Sequence, residues 1–145
     1  MKRFSGGRLV LALMLGVPSF LLFALSMAGP LTGKACGFLD PALSAVCHRL
    51  PSRSVLLPWG YSALCARCTA FWLGAAAGTV LMYRPAIRVP FWAGIPALLP
   101  LAVDGLLQYH NIYQSGNLLR MLTGLAAGLG ITVLFFGNVP FRCRG

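Results

Sequence analysis

Charge is scarce in this chain, and negative charge scarcer still. Charged residues make up 10% of its 145 positions, against roughly 25% in an ordinary soluble domain. There is no glutamate, and the only acids are Asp40 and Asp104. A soluble domain of this size needs a charged surface, and too few charges are present to make one. No catalytic triad and no cofactor motif stands in the chain. Cys68 is followed by Thr69, so the C-x-x-C-H motif of covalent haem attachment is missing. No aromatic-interleaved basic patch or nucleic-acid motif occurs either. The formal net charge of +10 is therefore not read as a nucleic-acid footprint. The basic residues sit at the ends of apolar runs, which is the pattern of anchoring in a lipid bilayer.

What the chain does have is apolar sequence, 58% of it. Leu9 to Ala28 is a run of 20 residues without charge. At about 1.5 Å rise per residue, it crosses a hydrocarbon core of about 30 Å. Its basic start also resembles a signal peptide, but the run exceeds an h-region of about 7–15 residues. Three more runs follow, Ser62 to Tyr83, Pro90 to Gln108 and Leu118 to Gly137. The expected fold is all-α, a single integral membrane domain built as a four-helix transmembrane bundle with spans 9–28, 62–83, 90–108 and 118–137. A long extramembrane loop containing Cys and His joins the first two helices. Within that loop Asp40-Pro41 reads as a helix start, with a short helix to about His48. Gly74 and Gly78 form a small-xxx-small pair, and Gly124, Gly128 and Gly130 a second glycine series, both suited to close helix contact.

The twelve basic residues divide by this topology. One side holds Lys2, Arg3, Arg8, Arg84, Arg88, Arg142 and Arg144. The other holds Lys34, Arg49, Arg53, Arg67 and Arg120. The first group reads as short-loop anchors, the kind that mark the cytoplasmic side. The expectation is an integral membrane protein with both termini on the cytoplasmic side and the Cys/His loop on the outer face.

Of the five cysteines, Cys47, Cys65 and Cys68 lie within 22 positions of one another. With His48 they have the residue types of a tetrahedral zinc site, and a CxxC pair supplies two ligands from one turn. Cys47 and His48 are adjacent and point in different directions, so the fourth ligand is either His48 or Cys36. Two alternatives stand beside zinc. An outer location permits a disulfide or a reactive thiol pair, and cysteine also packs as a plain apolar residue.

Asp104 is the only acid inside an expected span, and an ionisable group there is a functional candidate by default. Arg120 starts the fourth helix on the same side, so an Asp104–Arg120 ion pair stapling two helices is geometrically reasonable; the sharper reading has Asp104 facing the Cys/His site, as a partner for His48 or a proton acceptor. Gln108 lies one turn beyond Asp104 on the same face and would line the same cleft. Arg49, Arg53 and Arg67 are candidates for contact with an anionic headgroup or substrate, with interfacial snorkelling as the plainer account.

Four blocks recur here in a familiar order: Cys47-His48 with Pro51-x-Arg53-Ser54, Cys65-Ala66-Arg67-Cys68-Thr69 leading to Gly74, Asp104-Gly105-x-x-Gln108, and Asn117-x-x-Arg120 leading to Thr123-Gly124. They resemble a family of small prokaryotic membrane proteins known only as domain of unknown function 2085. The resemblance runs from about Cys47 to Gly130 and leaves Cys36 and Cys143 outside. It implies a multi-pass membrane protein whose matched polar positions are the cysteine, histidine, arginine and aspartate set above, and it names no reaction. The expected role is an accessory or structural subunit of a larger membrane complex, meeting other membrane subunits through its glycine-rich faces. The alternatives are a thiol-redox or zinc-dependent membrane enzyme acting on a lipid or quinone, and a metal-ion carrier.

Overall fold

The computed structural model describes residues 6–29, 47, 51–84, 87, 89–110 and 112–139. Four helices make the frame: α1 Gly6–Ala28, α2 Ala66–Tyr83, α3 Gly94–Tyr109 and α4 Asn117–Gly137. A 3-10 turn over Phe91–Ala93 extends α3 at its start. Among the described residues, three stretches are long and apolar enough to cross a membrane: Gly6–Ala28, Phe91–Tyr109 and Asn117–Gly137. α2 carries Arg67 and a run of Gly and Ala. It needs less apolar surface because α1 packs on one side of it and α4 on the other. The short helix expected between Pro41 and His48 lies outside the described residues.

Each neighbour relation rests on particular contacts. α1 runs antiparallel to α2. Ser26 and Thr69 share a hydroxyl hydrogen bond of 2.6 Å at one end, and Arg8 donates to the Met82 carbonyl at 3.0 Å at the other. α2 and α4 run parallel, and the glycines set their spacing. A Cβ on Gly124 would come within 2.3 Å of the Arg67 carbonyl oxygen, and one on Gly128 within 2.1 Å of that of Phe71. From the opposite side, Gly74 is pressed against the Leu125 backbone and Gly78 against the Thr132 side chain. These glycines bring two helices of one chain together. The glycine faces expected to meet a partner subunit are used inside the bundle.

The second element begins later than the apolar run implies. The span expected from Ser62 starts as a helix only at Ala66, because residues before it form an antiparallel hairpin. Strand β1 (Ser54–Leu57) pairs with β2 (Gly60–Cys65). Gly60 takes φ 130°, a left-handed value that glycine adopts without a Cβ penalty. The ladder is irregular between Ser54 and Leu56, where the Val55 N–H is met by the Ser62 hydroxyl at 3.0 Å. Trp59 at the hairpin turn donates from its indole to the Met27 carbonyl at 3.0 Å. That bond ties the hairpin to the end of α1 and leaves the ring half exposed, as expected of an interfacial aromatic.

Arg8 was counted above among the loop anchors, yet it is buried. Its guanidinium donates to the carbonyls of Met82 (3.0 Å), Phe136 (3.2 Å) and Val139 (3.2 Å). It also lies 5.8 Å from the Phe136 ring centroid. The last carbonyls of a helix lack internal partners and carry partial negative charge. One cation therefore closes the ends of α2 and α4 together and holds the start of α1 against them. Arg8→Gln is expected to lower stability by about 2–3 kcal/mol, since bonds from a charged donor are worth about 1.5–3 kcal/mol. The check is chemical denaturation in detergent micelles. A midpoint unchanged from the parent would contradict the capping role.

With α1 and α3 running one way and α2 and α4 the other, the beginning of α1 and the end of α4 share one end. The hairpin and the turn between α3 and α4 occupy the opposite end, where the Asn117 side-chain amide reaches the Ser54 carbonyl at 3.4 Å.

Candidate metal centre and its polar surround

Three sulfurs converge at the hairpin end. Cys65 is the last residue of β2 and the N-cap of α2, with φ −65° and ψ 156°. Cys68 follows in the first helical turn, so the strand-to-helix change aims both side chains to one side. Cys47 comes from the preceding connection and is buried against Leu64, with Leu22 and Trp72 packed around. The three Sγ atoms all lie within 4.8 Å of one another, and no disulfide joins them. The Cys65 backbone N–H donates to Cys47 Sγ at 3.3 Å. Zinc at about 2.3 Å from each of several thiolates in a tetrahedron needs sulfurs about 3.8 Å apart. The arrangement fits that demand with small rotations.

The chemistry of the group points the same way. The Cys47 thiol beside it pushes the Cys65 pKa up, and burial adds to the shift, although Cys68 opposes it. Three crowded thiols resist becoming three thiolates, because the charges repel. A cation among them removes that penalty. Cys47, Cys65 and Cys68 could thus hold a metal. His48, Cys36 and Cys143 lie outside the described residues.

The acid expected in the third helix is where it should be, but its partner differs. Asp104 is 3% exposed, and its Oδ2 accepts from Arg67 Nη2 in an ion pair. The pair expected between Asp104 and Arg120 does not form. The close α2–α4 approach at Gly124 brings Arg67 over the site, and its guanidinium passes 3.9 Å from the place a Gly105 Cβ would occupy. Asp104 Oδ1 accepts from Gln108 Nε2 at 2.9 Å and from the Tyr113 hydroxyl. Gln108 also donates to Ser115. The carboxylate is thereby met by three donors. The bond to Asp104 pushes the Tyr113 phenol above its ordinary range, so Tyr113 stays a protonated donor.

Arg120 sits in the first turn of α4, 5% exposed, and donates from Nη1 to Asn117 Oδ1 at 3.2 Å. Among the described residues, Arg53, Arg67, Asp104 and Cys65 act on its charge. The structure therefore brings Cys47, Cys65, Cys68, Arg53, Arg67, Asp104, Gln108 and Arg120 to one end of the bundle, while Arg49 and His48 fall outside the described residues. Tyr113 and Ser115 join the network without having been singled out in the sequence, and Ser54, quoted there only within a motif, joins through its carbonyl. The available hint was chemical. A lone buried acid needs donors, and the polar turn after Gln108 is the nearest supply.

These features define a small multi-pass helical membrane protein with a cysteine cluster at one end. The chain belongs to the family described as "Predicted membrane protein (DUF2085)", which it matches over residues 47–134. An uncharacterized protein of Methanothermobacter thermautotrophicus is 37% identical over 94 residues, covering 61% of this chain and 83% of the relative. The uncharacterized protein MJ1492 of Methanocaldococcus jannaschii is 37% identical over 100 residues, covering 64% of this chain. This chain spans 62% of that relative's length. No solved structure matches the chain.

Proposed function

We propose that this is a zinc protein of the cytoplasmic membrane, in which Cys47, Cys65 and Cys68 bind Zn²⁺ and lock the long first connection onto the start of α2. The fourth ligand comes from that connection, where His48 and Cys36 have the right chemistry. The convergence of three sulfurs within 4.8 Å carries the reading, because two arrive from one strand-to-helix junction and the third from 18 residues upstream. The N–H that meets Cys47 Sγ supports it, since such donors orient and stabilise metal-bound thiolates. The excess of short-loop basic residues near the termini favours the outer face for this centre.

A structural role in a larger complex is the first use of such a centre. It is supported by an apolar groove of about 650 Å³ between α1 and α2, lined by residues that include Leu13, Phe20, Leu73 and Val80. A membrane enzyme acting on a lipid or quinone is the second. Its support is the Arg67–Asp104–Tyr113 network beside the thiols, where a charged headgroup would meet donors and a metal together.

Metal analysis of protein purified in mild detergent tests the metal assignment. One zinc per chain is expected, absent after Cys65→Ser. A metal-free protein with a reducible bond between two of these sulfurs would replace zinc by a redox pair. A stoichiometric membrane protein in the same preparation would favour the structural role over catalysis.

A further inference from the structure

We propose that Arg120, with Arg67 and Arg53, forms a binding site for a phosphate-type oxyanion beside the cysteine cluster. The ion pair that would have neutralised Arg120 is taken by Arg67, and Asp104 is further engaged by Gln108 and Tyr113. Arg120 is nevertheless buried. Among the described residues, its side-chain hydrogen bond goes to a neutral amide oxygen. Among the same residues the buried Nε–H of Arg120 has no partner, and neither has that of Arg67.

Buried donors in native proteins are paired, so two orphaned guanidinium N–H groups in one place call for an acceptor. The local charge calls for the same thing. The charges of Arg53 and Arg67 both act against that of Arg120, and Asp104, already paired with Arg67, offsets them in part. With zinc among three thiolates and a neutral histidine, which adds one net negative charge, the group stays positive. Planar guanidinium forks match the oxygens of phosphate, and arginine is the residue of choice for that recognition. The start of α4 adds to the site. Gly116 precedes it without a side-chain cap, and the first amides of a helix favour an anion. Arg120 reaches back toward that end through Asn117.

The oxyanion can be a free phosphate or the headgroup of an anionic lipid, since the site lies where the bundle meets the membrane surface. The site uses no sulfur ligand, so it stands apart from the zinc assignment.

The test uses the full chain, purified in neutral detergent without phosphate, with zinc measured on every sample. Thermal stability is followed against inorganic phosphate, with chloride at equal ionic strength as the control. The same protein is placed in phosphatidylcholine nanodiscs with and without phosphatidylglycerol. A rise in melting temperature with phosphate supports a soluble oxyanion, and a rise only with phosphatidylglycerol supports a headgroup. In either case Arg120→Gln should weaken the apparent affinity by about tenfold to a hundredfold, as for loss of a charge-assisted bond. Arg120→Lys should recover part of it. If Arg120→Gln does not give a monodisperse protein, Arg53→Gln on the half-buried hairpin side carries the comparison. No response to either probe, or responses equal to the parent in both glutamine variants, overturns the proposal. Zinc retained without an anion response defeats this site alone. An anion response without zinc defeats the metal assignment alone.

Discussion

Asp104→Asn is expected to destabilise the protein by about 3–5 kcal/mol, the range for breaking a buried ion pair by removing one partner. The side chain is 3% exposed and accepts from Arg67, Gln108 and Tyr113 together. An amide of the same shape removes the charge and puts N–H groups where three donors already point. Arg67 is then left near Arg53 and Arg120 with nothing to offset it. The double variant Asp104→Leu/Arg67→Met should be milder than Asp104→Asn, since apolar replacement of a whole buried pair is often close to neutral. A double-mutant cycle at these two positions, read by denaturant titration in micelles, should give a coupling of about 1–3 kcal/mol. Additive effects would mean that the Arg67–Asp104 contact contributes nothing.

The parts of this architecture that depend on composition along the chain were legible. Apolar run length located the helices, and CxxC spacing plus Cys47 located the sulfur cluster. What stayed hidden depends on how elements approach one another. Ser62-Ala63-Leu64 is as apolar as the helix it precedes, and a short apolar strand cannot be told from buried helix by periodicity. Pro58-Trp59-Gly60-Tyr61 reads as a turn, and Gly60 takes the φ of 130° that makes a hairpin of it. The partner of Asp104 could not be read because Arg67 and Arg120 were both in range on paper. Glycine spacing decides between them, by letting the Arg67 backbone close onto Gly124. Arg8 looked like any basic residue at a helix start, and its role as a double cap exists only once α2 and α4 end side by side. Local pattern locates elements, whereas close helix contacts choose partners.

With zinc in the proposed centre, its removal should have the largest effect of any change considered, and that effect should be local. Binding of a structural zinc is worth about 10–16 kcal/mol of apparent free energy near neutral pH. In Cys68→Ser, or after chelation, that contribution disappears from the segment it ties down. The helices have other support: glycine contacts join α2 to α4, Arg8 closes the far end, and Ser26–Thr69 links α1 to α2. Helical circular dichroism should therefore survive. The amides of β1 and β2 should exchange far faster, because a two-stranded hairpin is marginal by itself. Acid should reproduce the effect. Each bound thiolate stands for a displaced proton, so zinc affinity falls as pH drops and protons compete for sulfur. The raised Cys65 pKa strengthens that competition, since its metal-free thiol holds its proton to higher pH than usual. Zinc release into a chromogenic chelator should accelerate between about pH 7 and pH 5, together with hairpin exchange. Release that is flat across that window would exclude thiolate ligation. Loss of helical signal along with the metal would mean that the centre organises the whole bundle rather than one connection.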